Sequence, residues 1–318
     1  MGSIPMELSE MTSLKRLGLR TNRLTGTIPP ELGRLTQLTI LDLSTNGLEG
    51  TVPPELGVLT QLISLAMPQN ALVGTIPPNL QSLTALIYLG LSFNQIVGSI
   101  PPELRGLTQL TWLDLSNNQV AGPIPTQLES LTQLVRLHLE ENQLSGPIPN
   151  QLLAGWTALT SLQLGVNQFS GPAPSGLGLL TRAREISMGN NQFSGTIPSE
   201  LLLLTQIRTL SLWGNRFTGS ILSGLGQLTE LRFLFLDSNR LRGTIPAELG
   251  SLTLLTFLTL HTNDLMGTIP PELGDLTRLL TIRLENNRLT GTVPESLCDA
   301  QPQVDCEEVV CSCCFCGI

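Results

Sequence analysis

Leu38-Thr39-Ile40-Leu41-Asp42-Leu43-Ser44-Thr45-Asn46 is the stretch that decides the fold. Leucine stands eight, five and three places before the asparagine. Leu110, Leu113 and Leu115 hold the same places before Asn118. The asparagine recurs along the chain at Asn22, Asn46, Asn70, Asn94, Asn118, Asn142, Asn167, Asn191, Asn215, Asn239, Asn263 and Asn287. Every interval is 24 residues except one of 25, between Asn142 and Asn167. A second phrase follows each asparagine, as in Leu24, Gly26, Ile28, Pro29, Leu32, Gly33, Leu35 and Thr36. A repeat of this period, twelve times over, takes precedence over every other signal.

Each part of the repeat has a physical reading. The x-L-x-L-x segment alternates with period two, which puts leucines on one side of a short strand and variable residues on the other. The asparagine amide donates to and accepts from backbone groups at the turn that ends the strand. Glycine allows a tight bend, and proline starts a helical turn that carries the next leucines inward. One coil cannot bury its own leucines, so the coils stack into a common core. The threonine of the L-T step (Thr12, Thr36, Thr60 and onward) is expected to satisfy loop backbone with its hydroxyl.

These residues resemble the plant-specific class of leucine-rich repeats, found in the ectodomains of receptor-like kinases, in receptor-like proteins and in polygalacturonase inhibitors. Similar arrays occur in algal proteins. The resemblance covers residues 2–297 and implies an α/β fold: a right-handed solenoid with a parallel concave sheet and short helical or 3-10 turns on its convex side. It assigns residues 1–297 to about twelve repeats without an N-terminal cap. Residues 298–318 form a cysteine-rich C-terminal cap or tail. The family shares a scaffold and varies its ligand, so fold alone does not fix function.

Departures from the pattern mark particular places. Trp156 falls in the long repeat and is expected to fill core. Phe169, Phe193 and Phe217 replace leucine two residues after the asparagine and are expected to stack inside. Pro68 removes a backbone donor, which should weaken its strand. Ala173-Pro174 and Ile221-Leu222 replace the Ile-Pro step. The chain begins at Met1-Gly2-Ser3-Ile4-Pro5, in the middle of a repeat, and the expectation is a chain that continues upstream.

All six cysteines lie in the tail: Cys298, Cys306, Cys311, Cys313, Cys314 and Cys316. An even count after the last repeat looks like a disulfide-stapled cap of secreted proteins, with pairing left open. A metal-thiolate site is the rival, although the paired C-x-x-C knuckles and nearby histidines of the usual zinc site are missing. The expectation is disulfides, no bound metal and no cofactor.

Ligand specificity should sit at the outward strand positions. Six of the twelve aromatics fall there: Tyr88, Trp112, Trp213, Phe233, Phe235 and Phe257. Large rings on an open sheet mark interfaces. Two groups form, one from Tyr88, Trp112, Asp114, Arg136, His138 and Glu140, the other from Trp213, Phe233, Phe235, Asp237, Phe257 and His261. Arg184, Glu185 and Arg208 lie beside them.

The bulk composition narrows the function. With net charge −8, only 13% charged residues and Lys15 as its one lysine, the chain is a poor binder of nucleic acid. No apolar run is long enough to span a bilayer as a helix. No nucleophile elbow, phosphate loop, zinc-peptidase or kinase motif appears, so catalysis is not expected. The expected role is a recognition module, extracellular or at the cell surface, that binds a protein, peptide or glycan on its concave face. Inhibition of a secreted glycan-degrading enzyme is the alternative. Ice binding by a threonine ladder (Thr27, Thr51, Thr75, Thr196, Thr244, Thr268, Thr292) is weaker still, because Ser99, Pro123, Pro147, Pro172 and Ser220 interrupt it. Asn-x-Ser/Thr acceptor sites, frequent in secreted members, are absent.

Overall fold

The computed structural model describes residues 2–305, 307, 309–311 and 313–316; the side chains of Phe315 and Cys316 lie outside that description. The chain divides into two compact units, Met1–Gln168 and Phe169–Ile318. Both are leucine-rich-repeat solenoid built from the 24-residue coil.

In the first unit, the strands Arg16–Gly18, Ile40–Asp42, Ser64–Ala66, Tyr88–Gly90, Trp112–Asp114, Arg136–His138 and Ser161–Gln163 pair in parallel. The register is locked to the repeat, so Leu41, Leu65, Leu89, Leu113 and Leu137 lie side by side. Each is at most 1% exposed. Full burial of a leucine contributes roughly 1.5–3 kcal/mol, and this row is one of several in every coil. A one-residue slip would turn the whole row to solvent, which is why the register is unambiguous.

In the second unit, Glu185–Ser187, Thr209–Ser211, Phe233–Phe235, Phe257–Thr259 and Thr281–Arg283 continue the same scheme. Two short strands from the tail, Gln303–Val304 and Phe315–Cys316, add to its edge.

The Ile-Pro step sets the start of each convex turn. Pro29 is extended (φ −64°, ψ 126°), and the five-residue 3-10 turn Pro30–Arg34 follows it. Leu222 takes the same conformation without a proline, at φ −71° and ψ 121°. The long repeat is the exception. Its extra residue lets Asn150–Gly155 close as an α-helix, capped by Trp156. The Trp156 ring is 1% exposed, and its Nε1 donates to the Leu128 carbonyl at 2.9 Å. The tryptophan therefore fills core, and a bond to the preceding coil satisfies its one polar atom.

The asparagine ladder is a hydrogen-bond clamp between coils. Asn118 Nδ2 donates to Leu115 and Ser116 of its own coil and to Leu91 of the coil before, at 3.0–3.1 Å. Its Oδ1 accepts the Ile96 amide at 3.0 Å. The residue just before the asparagine is left-handed, at φ between 53° and 57° from Thr21 through Val166. Sequence gave no warning of this, since Phe93, Glu141 and Val166 are poor left-handed residues. The clamp bonds outweigh the local strain.

Beyond the asparagine, short strands form a second parallel ladder in each unit. Thr25–Thr27, Gly47–Thr51 and Ala71–Val73 pair in the first; Asp264–Thr268 and Arg288–Thr292 pair in the second. Gly50 sits at φ 75°, and a Cβ there would lie 2.8 Å from the Thr27 methyl. Both constraints demand glycine.

Two expectations need correction. Pro68 does not weaken its strand: Ser64–Ala66 keeps its full register with both neighbours. At the equivalent place the Ser44 and Ser116 amides turn to their own Asp42 and Asp114 rather than across the sheet. A proline there forfeits no ladder bond. The L-T threonines also differ from expectation. They are exposed, and none among the described residues makes a side-chain hydrogen bond. Hydroxyls that brace the backbone belong to Thr39, Thr111, Thr160 and Thr256, each bonded to a carbonyl of the preceding coil.

The tail closes the last coil of the second unit. Asp305 accepts the Asn286 and Asn287 amides at 2.9 and 3.1 Å, standing in for the carbonyls that a further repeat would supply. Val304 and Val309 are buried. Disulfides join Cys298 to Cys313 and Cys311 to Cys314, with Cα–Cα distances of 5.5 and 5.7 Å. Cys306 and the Cys316 side chain, the other two candidates, lie outside the described residues.

Candidate functional site

The outward face of the first unit gathers the first residue group. Parallel register puts Tyr88, Trp112 and Arg136 in one row across three adjacent strands. The Tyr88 and Trp112 rings meet at 4.7 Å, tilted by 45°. Arg136 places its guanidinium carbon 4.8 Å from the Trp112 ring centre, on the electron-rich face. His138 meets Trp112 edge-on at 6.0 Å. Its Nε2 lies 3.2 Å from Ser161 Oγ. Glycine makes room for this cluster: a Cβ on Gly90 would lie 2.1 Å from the Tyr88 hydroxyl.

The acidic members have different surroundings. Asp114 is held by the Ser92 and Ser116 hydroxyls at 2.9 and 2.8 Å. Glu140 has a buried Oε2 without a hydrogen-bond partner. Burial, then the neighbouring charges of Asp114 and Glu141, push its carboxyl up to about 7, against some help for the ionised form from its own backbone. Tyr88 is pushed up to about 12, first by burial and then by Asp114 and Asp42, so its phenol stays protonated at neutral pH. Trp112 Nε1 is also buried without a partner. The cluster thus encloses one donor and one acceptor without hydrogen-bond partners.

A pH prediction follows from Glu140. Its pKa is higher in the folded chain than the usual 4.5, so between pH 4.5 and 7 the unfolded chain has lost a proton that the folded chain retains. Stability at this residue falls as pH rises through that window and levels off above it. Glu140→Gln should flatten that part of the melting-temperature profile and raise stability at pH 8 relative to the parent. Parallel profiles for the two chains would contradict the assignment.

Residues not singled out from sequence complete the surface. A depression of about 420 Å³ lies beside the aromatic pair, lined by Arg20, Asp42, Ser64, Phe93, Tyr88 and Trp112 among others. Arg20, Asp42 and Ser64 occupy the same outward offsets as the selected residues, so the repeat frame alone would have found them. Choosing by aromatic content passed over them. Phe93 is 51% exposed at the left-handed turn, where the strand alternation no longer applies.

The second group behaves differently. Phe233 stacks on Phe257 at 5.5 Å and lies 6.3 Å from Phe235. Asp237 accepts Thr259 Oγ1 at 2.5 Å and lies 3.5 Å from His261 Nε2, so both are engaged within the protein. Trp213 lies instead over Gly189, where a Cβ would come within 2.2 Å of its Nε1. No ring contact joins it to the phenylalanines among the described residues. Arg208 pairs with Glu230 at 3.9 Å, both about half exposed, which contributes little. Arg283 and Glu285, unremarked in the sequence, form a partly buried ion pair on the same face.

Family profiles described as leucine-rich repeat match residues 60–120, and 13–35, 37–59, 206–228, 230–252 and 278–300. The chain belongs to the leucine-rich-repeat family. It is similar to a solved TDR receptor, at 34% identity and TM-score 0.90, over 95% of this chain and 52% of that one. It is similar also to the plant peptide hormone receptor RGFR1 in complex with RGF2, at 33% identity and TM-score 0.86, over 95% and 52%. A plant ice-binding protein aligns at 27% identity and TM-score 0.61, over 86% of this chain and 81% of that one. The chain therefore spans about half the length of the two receptors. No curated protein matches.

Proposed function

We propose that the chain is a non-catalytic recognition module, the extracellular part of a receptor-like protein, that binds an extended peptide on the outward sheet face of its first unit. The aromatic row Tyr88–Trp112, flanked by Arg136 and His138 and opening on the adjacent depression, carries this reading. It offers a preformed apolar platform and a cation, a combination typical of interface anchors. The similarity to a receptor solved with its peptide hormone supports the peptide over a glycan. Extracellular placement is supported by the disulfides of the tail.

The test selects binders from a displayed library of random peptides and measures their affinity for the full chain by calorimetry. Trp112→Ala should weaken binding by about 30-fold or more, the effect of removing a central anchor. Selected peptides that bind the parent and the Trp112→Ala chain equally would overturn the reading, as would the recovery of glycans alone from a parallel array.

One observation favours a second reading, ice binding, namely the similarity to a plant ice-binding protein. Thr27 and Thr51 are indeed exposed on paired strands of the first unit, and Thr75 is exposed just beyond the next strand. Ser99, Pro123 and Pro147 follow at the next three coils, so the ladder is too short for an ordered water lattice. The expected result is no thermal hysteresis at millimolar protein, and a measurable freezing gap would reverse the order of the two readings.

A further inference from the structure

We propose that Cys298, Cys311, Cys313 and Cys314, when reduced, form a single tetrahedral thiolate site for a soft divalent cation, with zinc as the natural occupant. The observation is convergence. Cys311, Cys313 and Cys314 place their sulfurs within 4.8 Å of one another, and Cys298 is bonded to Cys313. Cys298 lies in the turn Glu295–Ala300 and the others lie in the tail, so its bond to Cys313 brings a fourth sulfur from a separate segment beside that group. The Cys311 and Cys313 sulfurs, which belong to different disulfides, are 3.9 Å apart. Four zinc–sulfur bonds of about 2.3 Å at the tetrahedral angle require sulfurs about 3.8 Å apart. This pair already stands at the ligand spacing.

Chemistry narrows the metal. The donor set is all sulfur, which selects zinc over calcium or magnesium. Reducing the two disulfides takes two equivalents of a dithiol, which gives up four electrons and four protons and leaves as its own disulfide, or two equivalents of a phosphine, which gives up four electrons and leaves as the oxide while two waters supply its oxygen and the four thiol protons. Zinc binding then releases the four thiol protons. Oxidation by two equivalents of a disulfide reverses the exchange, re-forming both protein disulfides and expelling the ion. Either state ties the tail to the last coil: cross-links in an oxidising compartment, a metal clip in a reducing one. The tail strands that close the second unit would stay in place under both.

The test uses the full chain, reduced with a phosphine, freed of reductant under argon and titrated with Co²⁺. One Co²⁺ per chain is expected, with the intense visible bands of tetrahedral cobalt thiolate, displaced by one equivalent of Zn²⁺. The oxidised chain should give no such bands. Alkylation of the zinc-loaded chain, mapped by mass spectrometry, should find Cys298, Cys311, Cys313 and Cys314 protected. Cys311→Ser with Cys314→Ser should abolish the bands and lower zinc affinity by about 100-fold or more. Absence of tetrahedral bands in the reduced parent, protection of a different set of cysteines, or an unchanged spectrum in the double variant would each overturn the assignment. The mapping needs only the parent chain, so a misfolded variant does not decide the outcome.

Discussion

Replacing Phe193 by alanine is expected to lower the stability of the second unit by roughly 3–5 kcal/mol. Phe193 is fully buried and stacked between Phe169 at 6.2 Å and Phe217 at 6.4 Å, with ring planes within 17°. Removing the middle ring leaves a cavity walled by two other rings, each fixed by its own coil. The coils cannot close the gap, because their spacing is set by backbone bonds and the asparagine clamps. Cavity energy therefore adds to the lost transfer energy. Phe193→Leu should cost less, roughly 1–2 kcal/mol, since leucine is what most coils carry at this position and it leaves a smaller cavity. Urea denaturation of the three chains measures both numbers. A small loss in the alanine chain would mean that the rings are not packed as a stack.

Asn215→Ala is the second large effect, at roughly 2–4 kcal/mol. Asn215 Nδ2 donates to the Met188, Leu212 and Trp213 carbonyls at 3.0–3.1 Å, and its Oδ1 accepts the Phe193 amide at 3.0 Å. The side chain is almost wholly enclosed, so water cannot replace these bonds. Alanine strands three acceptors and one donor at the junction of adjacent coils. Asn215→Asp should be at least as damaging despite its similar shape. It keeps the acceptor but turns a second, charged oxygen toward three carbonyls. Hydrogen exchange at the Phe193 amide gives a local readout, with protection expected to fall in both variants. An aspartate chain as stable as the parent would show that the amide donor carries none of the clamp.

The period carried most of this fold in plain view. Leucine spacing placed the strands, the asparagine placed the turn, and the Ile-Pro step placed the convex segments. Phe169, Phe193, Phe217 and Trp156 were legible as core because they replace core residues at fixed offsets. Other features were not legible, for identifiable reasons. The left-handed residue before each asparagine is imposed by bonds between coils, so its side chain is free to be Phe93 or Val166. Asp305 mimics a missing coil through its carboxylate, a role that no repeat frame predicts. Pro68 misled because the rule against proline in strands applies only where the amide is used.

The candidate site was half legible. Outward offsets identified Tyr88, Trp112, Arg136 and His138, and register made them neighbours. Which acids were free was invisible, since Asp114 is held by serines and Glu140 is not. Trp213 shares the outward offsets of repeats nine to eleven with the phenylalanines, but its ring lies over Gly189. Side-chain direction, not offset, makes that difference.

The Tyr88–Trp112 platform of the first unit is the proposed seat of the ligand. Hydroxyl-radical footprinting of the full chain, with and without a saturating selected peptide, tests it most directly. The prediction is strong protection of Tyr88, Trp112 and His138, with Met266 on the second unit, 47% exposed, labelled equally in both states. Unchanged labelling of Tyr88 and Trp112 in the saturated complex would contradict it.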